Sequence, residues 1–74
     1  MTLADLKIGE KGKIVKIQVT GAFKRRLMDM GVIVGTDIRV EKVAPLGDPI
    51  GVRIKSYALS LRVEEARQIE VEVI

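Results

Sequence analysis

Apolar side chains recur in this chain with a period of two over most of its length and switch once to a helical period. From Lys13 to Val19, the residues Val15, Ile17 and Val19 alternate with Ile14, Lys16 and Gln18, and only Ile14 breaks the pattern, so a first strand is expected here. Thr20 and Gly21 interrupt it. Ala22 to Met30 then places Phe23, Leu27 and Met30 on one face and turns Lys24, Arg25 and Asp29 away, the spacing of an amphipathic helix. Gly31 supplies the residue type that ends helices in the left-handed conformation. Alternation returns from Asp37 to Val43 with Ile38 and Val40 on one face. It continues with Ile50, Val52 and Ile54, then with Tyr57, Leu59 and Leu61, and ends with Ile69, Val71 and Val73 opposite Glu70 and Glu72. Thr2 is placed to cap a short turn through Leu6, and Glu64 to Arg67 has room for a single helical turn before the last strand.

The stretch from Ala44 to Pro49, Ala-Pro-Leu-Gly-Asp-Pro, separates two of these strands and is conformationally restricted. Pro45 fits the first central position of a type I turn and Gly47 the position that closes it. Ala44 and Asp48 each precede a proline and are pushed toward extended backbone. A stiff loop with Leu46 at its tip, offered to solvent or to a partner, is the expectation.

About five short strands, each with one apolar face and with a helix inserted after the first, define a mainly β fold. Closing such a sheet on itself buries every apolar face at once, so the expected architecture is a small SH3-like antiparallel barrel, with a short helical turn before the last strand. All 74 residues form one domain, residues 1–74, since a second core has no chain left to build it. Across neighbouring strands, outward Arg53, Lys55 and Arg62 are expected to face Glu70 and Glu72.

Composition narrows the function. Hydrophobic residues make up 47% of the chain with only Phe23 and Tyr57 aromatic, and mean hydropathy is +0.21. The core must be aliphatic, and a domain of this size leaves apolar surface exposed, which often marks interaction sites. No apolar run reaches membrane-spanning length and no secretory leader is recognisable, so a cytoplasmic location is the default reading. The net charge of +3 is local: residues 1–37 carry seven Lys or Arg against four acids, and residues 38–74 carry six against six.

Cysteine and histidine are both absent. This removes disulfides, the usual ligands of zinc, copper and non-haem iron, and the usual general base. Asp29, Asp37 and Asp48 fall on separate expected loops and ends, and no phosphate-binding or nucleophile motif is present. Neither an enzyme nor a cofactor or metal site is expected, and no small-molecule substrate. Two aromatics, both expected to point inward, make no stacking platform for single-stranded nucleic acid and no polyproline groove. Docking onto another protein through aliphatic surface remains, with Met28 on the helix, the Val32 to Val34 run and Leu46 as candidates. In the valine run, two of the three residues are expected to fold inward.

Arg26-Leu27-Met28-Asp29-Met30-Gly31, Gly35-Thr36, the Ala44 to Pro49 loop, and Leu59-Ser60-Leu61-Arg62 with Glu65-Ala66 together resemble the ferrous iron transport protein A (FeoA) family over essentially the whole chain. The sequence departs from many members at Val34, where they carry proline or a basic residue. The resemblance implies an SH3-like barrel in the cytoplasm. It also implies that the barrel serves as an accessory or regulator of a large membrane Fe(II) transporter bearing a cytosolic GTP-binding domain, with the iron path lying in that partner. Leu46, Gly47 and Asp48 match the family's loop motif and, with Met28, form the candidate partner-binding set. The alternative is a nucleic-acid-binding or repressor-like regulatory domain working through Lys7, Lys11, Lys13 and Lys24. A homo-oligomer formed through an edge strand or the Val32 to Val34 run is also open.

Overall fold

The computed structural model describes all residues, Met1–Ile74. Five strands form one antiparallel sheet in the order β4-β3-β2-β1-β5: β1 is Lys11–Ile17, β2 Asp37–Val43, β3 Ile50–Ile54, β4 Tyr57–Leu61 and β5 Ile69–Val73. Helix α1, Gly21–Asp29, follows β1, and the one-turn α2, Val63–Ala66, precedes β5. The mainly β architecture with an inserted helix therefore stands as read. Fifteen residues, all apolar, pack into one buried cluster drawn from every strand, from α1 and α2, and from the N-terminal turn Leu3–Asp5. No polar or charged side chain is buried, so the core carries no desolvation penalty for polar groups.

Each element has a local cause. Asp5 accepts from the backbone N–H of Thr2 at 2.8 Å, which caps the first turn and lets Leu3 plug the barrel. Helix α1 ends in a Schellman motif: the Val32 N–H donates to the Leu27 carbonyl at 2.8 Å and the Gly31 N–H to the Met28 carbonyl at 3.0 Å, with Gly31 at φ 91°. The apolar contact that accompanies this motif is made by Leu27 and Val32, both fully buried.

Two bulges re-aim the sheet. Along β1 the register passes from Ile14↔Val71 to Lys16↔Glu70, leaving Val15 as an extra residue. The inward parity flips there. Gly12 and Ile14 face the core before the bulge, and Ile17 and Val19 after it. The reading of Val15 as an inward residue and Ile14 as the exception is thus corrected: Ile14 is fully buried and Val15 lies on the surface. A second bulge between Val40 and Lys42 makes Glu41 the extra residue of β2.

Strand order overturns the expected charge pairing. Strand β5 neighbours β1, not β3 or β4, so Glu70 and Glu72 lie opposite Lys16 and Lys13, and Arg53, Lys55 and Arg62 have no such neighbours. Arg53 pairs instead with the bulge residue Glu41, Nε to Oε2 at 2.7 Å. Both sequence-stranded ends of the sheet, β4 and β5, are edges, and the Thr2 bridge to Glu70 covers part of the second.

Candidate functional site

The most prominent exposed side chain is Leu46, 97% accessible at the tip of the β2–β3 loop. The loop is a closed hydrogen-bonded turn. The Gly47 N–H donates to the Ala44 carbonyl at 2.7 Å, the Ala44 N–H to the Pro49 carbonyl at 3.1 Å, and Gly47 sits at φ 89°. Asp48 reaches across the fold: its Oδ1 accepts from the Val63 N–H at 3.2 Å and so satisfies one of the free donors at the start of α2. Within the candidate set, Gly47 and Asp48 thus shape and anchor the loop, and Leu46 is the group it presents.

Met28 lies elsewhere. It lines a shallow groove of about 550 Å³ with Val15, Ile17, Ile33 and Val34, flanked by Lys16 and Lys24. Leu46, Gly47 and Asp48 are not part of this groove, so the structure divides the candidate set in two. Val15, Met28, Ile33 and Val34 are between 40% and 62% accessible, which makes an unusually apolar surface for a domain with so few aromatics.

The groove has three walls, each explained by a feature of the sequence. The β1 bulge turns Val15 out. The helix turns Met28, about 100° round from buried Leu27, toward the surface. The segment after the helix is drawn back against β1 by two backbone hydrogen bonds, from the Gly35 N–H to the Ile14 carbonyl at 2.7 Å and from the Ile14 N–H to the Thr36 carbonyl at 2.9 Å. That return buries Val32 and exposes Ile33 and Val34, so one residue of the run folds inward rather than two. The groove as a unit was missed in the sequence because it depends on the bulge and on which strand the helix returns to. The one signal available was Ile14, whose break in the alternation marks the bulge.

The remaining candidates are scattered. Tyr57, expected inward, is partly exposed at the edge of the sheet, and Phe23 is half-buried against the core. Lys11 and Lys13 stand on the outer sheet face and Lys24 on the helix beside the groove, so the basic first half is not gathered on one surface. No three carboxylates converge in the arrangement a metal ion needs. The hydrogen bond from Arg53 holds the Glu41 carboxyl below its ordinary value of 4.5, and the charges of Arg53, Arg39 and Lys42 act in the same direction. No helix is long and apolar enough to cross a membrane.

Comparison with known proteins places this geometry. The family model for the FeoA domain matches residues 1–73. A fusion of Fe(2+) transport protein A with the Fe(2+) transporter FeoB, from Porphyromonas gingivalis, is 43% identical over all 74 residues, and the chain spans 9% of that protein's length. The solution structure of the FeoA protein from Chlorobium tepidum superposes with a TM-score of 0.95 at 38% identity, covering 100% of this chain and 70% of that one. The crystal structure of Stenotrophomonas maltophilia FeoA complexed with zinc, described as a prokaryotic SH3 domain protein, gives a TM-score of 0.85 at 28% identity over 97% of this chain and 89% of that one.

Proposed function

Because this chain belongs to the FeoA domain family, we propose that it is a non-catalytic accessory of ferrous iron uptake that docks onto the cytosolic part of a membrane Fe(II) transporter. The observation that carries this reading is the fusion relative, in which a domain 43% identical to this chain shares one polypeptide with the transporter. A covalent link holds two modules at high effective concentration, so a separate copy of the same domain needs a contact surface of its own. The groove around Met28 and the tip at Leu46 are the surfaces available for it.

In this reading the two contacts differ in kind. Leu46 is a single apolar anchor on a hydrogen-bonded loop, suited to a small pocket on the partner, with Gly47 and Asp48 fixing how it is presented. The groove is a wider apolar strip flanked by Lys16 and Lys24, complementary to an apolar segment with acidic flanks. With no histidine or cysteine in the chain, the role is one of binding and regulation, and iron is the transporter's cargo.

The test is a two-dimensional NMR titration of the labelled protein with the transporter's cytosolic GTP-binding domain from the same organism. Shifts centred on Met28, Ile33, Val34 and Leu46, lost in Met28→Asp and Leu46→Asp, are the expected result. Leu46→Asp leaves stability within about 0.5 kcal/mol, because its side chain touches almost nothing in the free domain. Titration without shifts removes the GTP-binding domain as the partner surface, and shifts that leave out both Leu46 and the groove remove these residues from the contact.

A further inference from the structure

The outer face of the sheet is charged very differently in its two halves. Between β1 and β5 the facing pairs are opposite in sign, Lys13↔Glu72 and Lys16↔Glu70. Between β1, β2 and β3 two facing pairs are alike, with Lys11 opposite Arg39 and Arg39 opposite Arg53, and one pair, Lys13 opposite Asp37, is opposite in sign. Like charges directly opposite on one face oppose strand pairing, yet here three strands in succession carry them. Only Arg53 has a carboxylate, since the Arg53–Glu41 bond is the one ion pair in the molecule. Strand β4 offers no acid on this side, because Ala58 and Ser60 stand opposite Arg53 and Gly51.

The row is also concave. A depression of about 290 Å³ is lined by Lys11, Asp37, Ile38, Arg39, Arg53 and Lys55. Ile38 is fully buried, so the exposed lining is four cations and one carboxylate. Lys55 joins them through the tight β3–β4 turn, where it holds a left-handed backbone at φ 54° that few non-glycine residues adopt.

From this arrangement we propose that the outer face of β1, β2 and β3 binds the linked phosphates of a soluble di- or triphosphate-bearing ligand. Neighbouring strands lie about 4.8 Å apart, so the row from Lys11 to Arg53 extends roughly 10 Å, a length suited to two or three linked phosphates rather than one. Arg39 is central, with a planar fork that binds phosphate oxygens in pairs, and Lys11 and Lys55 supply point charges at the sides. The absence of exposed apolar side chains in the depression favours a soluble anion over a bilayer, whose binding draws on apolar insertion as well as charge. The proposal is independent of the docking reading, which rests on other residues.

The experiment is a titration of the labelled protein with pyrophosphate at constant ionic strength, followed by amide shifts. Saturable shifts at Lys11, Arg39, Arg53 and Lys55 are expected, with affinity falling about tenfold in Arg39→Gln, the loss of one charge-assisted hydrogen bond. Arg39→Lys should recover part of that loss, and Lys24→Gln, in the apolar groove, should lose none. Circular dichroism of each variant separates loss of binding from loss of fold. Shifts spread over all lysines without saturation, or equal weakening by Arg39→Gln and Lys24→Gln, overturn the proposal. An Arg39-dependent response to phosphatidylglycerol vesicles or duplex DNA, without one to pyrophosphate, overturns the assignment of a soluble ligand.

Discussion

Gly31 stands where two constraints coincide, and replacing it with alanine separates them. At φ 91° the backbone is left-handed, which costs an L-residue about 1–2 kcal/mol. The added Cβ also falls 2.9 Å from the Tyr57 hydroxyl, whereas Tyr57 Cζ and Ile54 Cγ2 are 3.9 Å away. The hydroxyl is the far end of a partly exposed ring, so the ring turns aside at an off-rotamer cost of roughly 0.5–1.5 kcal/mol. Gly31→Ala therefore costs roughly 1.5–3.5 kcal/mol in all. In a Tyr57→Phe background only the backbone part, about 1–2 kcal/mol, remains. Against a total stability of roughly 4–11 kcal/mol for a domain of this size, either loss is large, and each kcal/mol lowers Tm by roughly 4–8 °C. Urea denaturation followed by far-ultraviolet circular dichroism is the suitable assay, since the chain has no tryptophan. An unchanged slope lets the midpoint report stability. A neutral Gly31→Ala would refute the backbone argument, and an equal loss in both backgrounds would refute the contact with Tyr57.

Other expectations test the remaining structure. Ile14→Ala should cost about 2–5 kcal/mol by the same denaturation measurement and Val15→Ala within about 0.5 kcal/mol; the reverse order would place the β1 bulge wrongly. Asp48→Ala removes the acceptor of the Val63 N–H and should lower stability by about 0.5–2 kcal/mol, with amide exchange accelerated at Val63 and α2. The carboxyl of Glu41, followed by carbon NMR, should titrate below 4.5 and return toward it in Arg53→Gln. Because the folded value is the depressed one, the pair's contribution is present above the ordinary glutamate range and fades as pH falls through the folded value; a titration unchanged by Arg53→Gln would refute the pairing.

Much of the fold was legible because aliphatic alternation survives in β2 and β3, where Ile38, Val40, Ile50, Val52 and Ile54 all turned out buried. The helix end was legible for a chemical reason, as Gly31 follows the helix in the left-handed conformation that glycine favours. Strand adjacency was not, since nothing local in Glu70 or Glu72 states that β5 lies beside β1. That depends on the path of the whole chain, and it decided which charges met. Of the candidate site, the exposure of Leu46 followed from the torsions of its loop. The anchoring of Asp48 to Val63 did not, because it joins residues on different segments. The groove was hidden by a single spare residue, since the extra position in β1 lets Ile14 and Ile17 both face inward and leaves Val15 between them on the surface.

That spare residue gives the domain an unusual freedom. Val15 has no opposing partner in β5 and its side chain points out of the core, so changes in its size or polarity reshape the groove while the residues that hold the barrel together keep their neighbours. The surface of the groove can thus be revised one substitution at a time without disturbing the buried core. The same holds at Val34, whose side chain is the most exposed of the groove's apolar residues. Val15, Met28, Ile33 and Val34 of the groove and the fifteen buried residues of the core are separate sets of positions, so the first can vary while the second is kept.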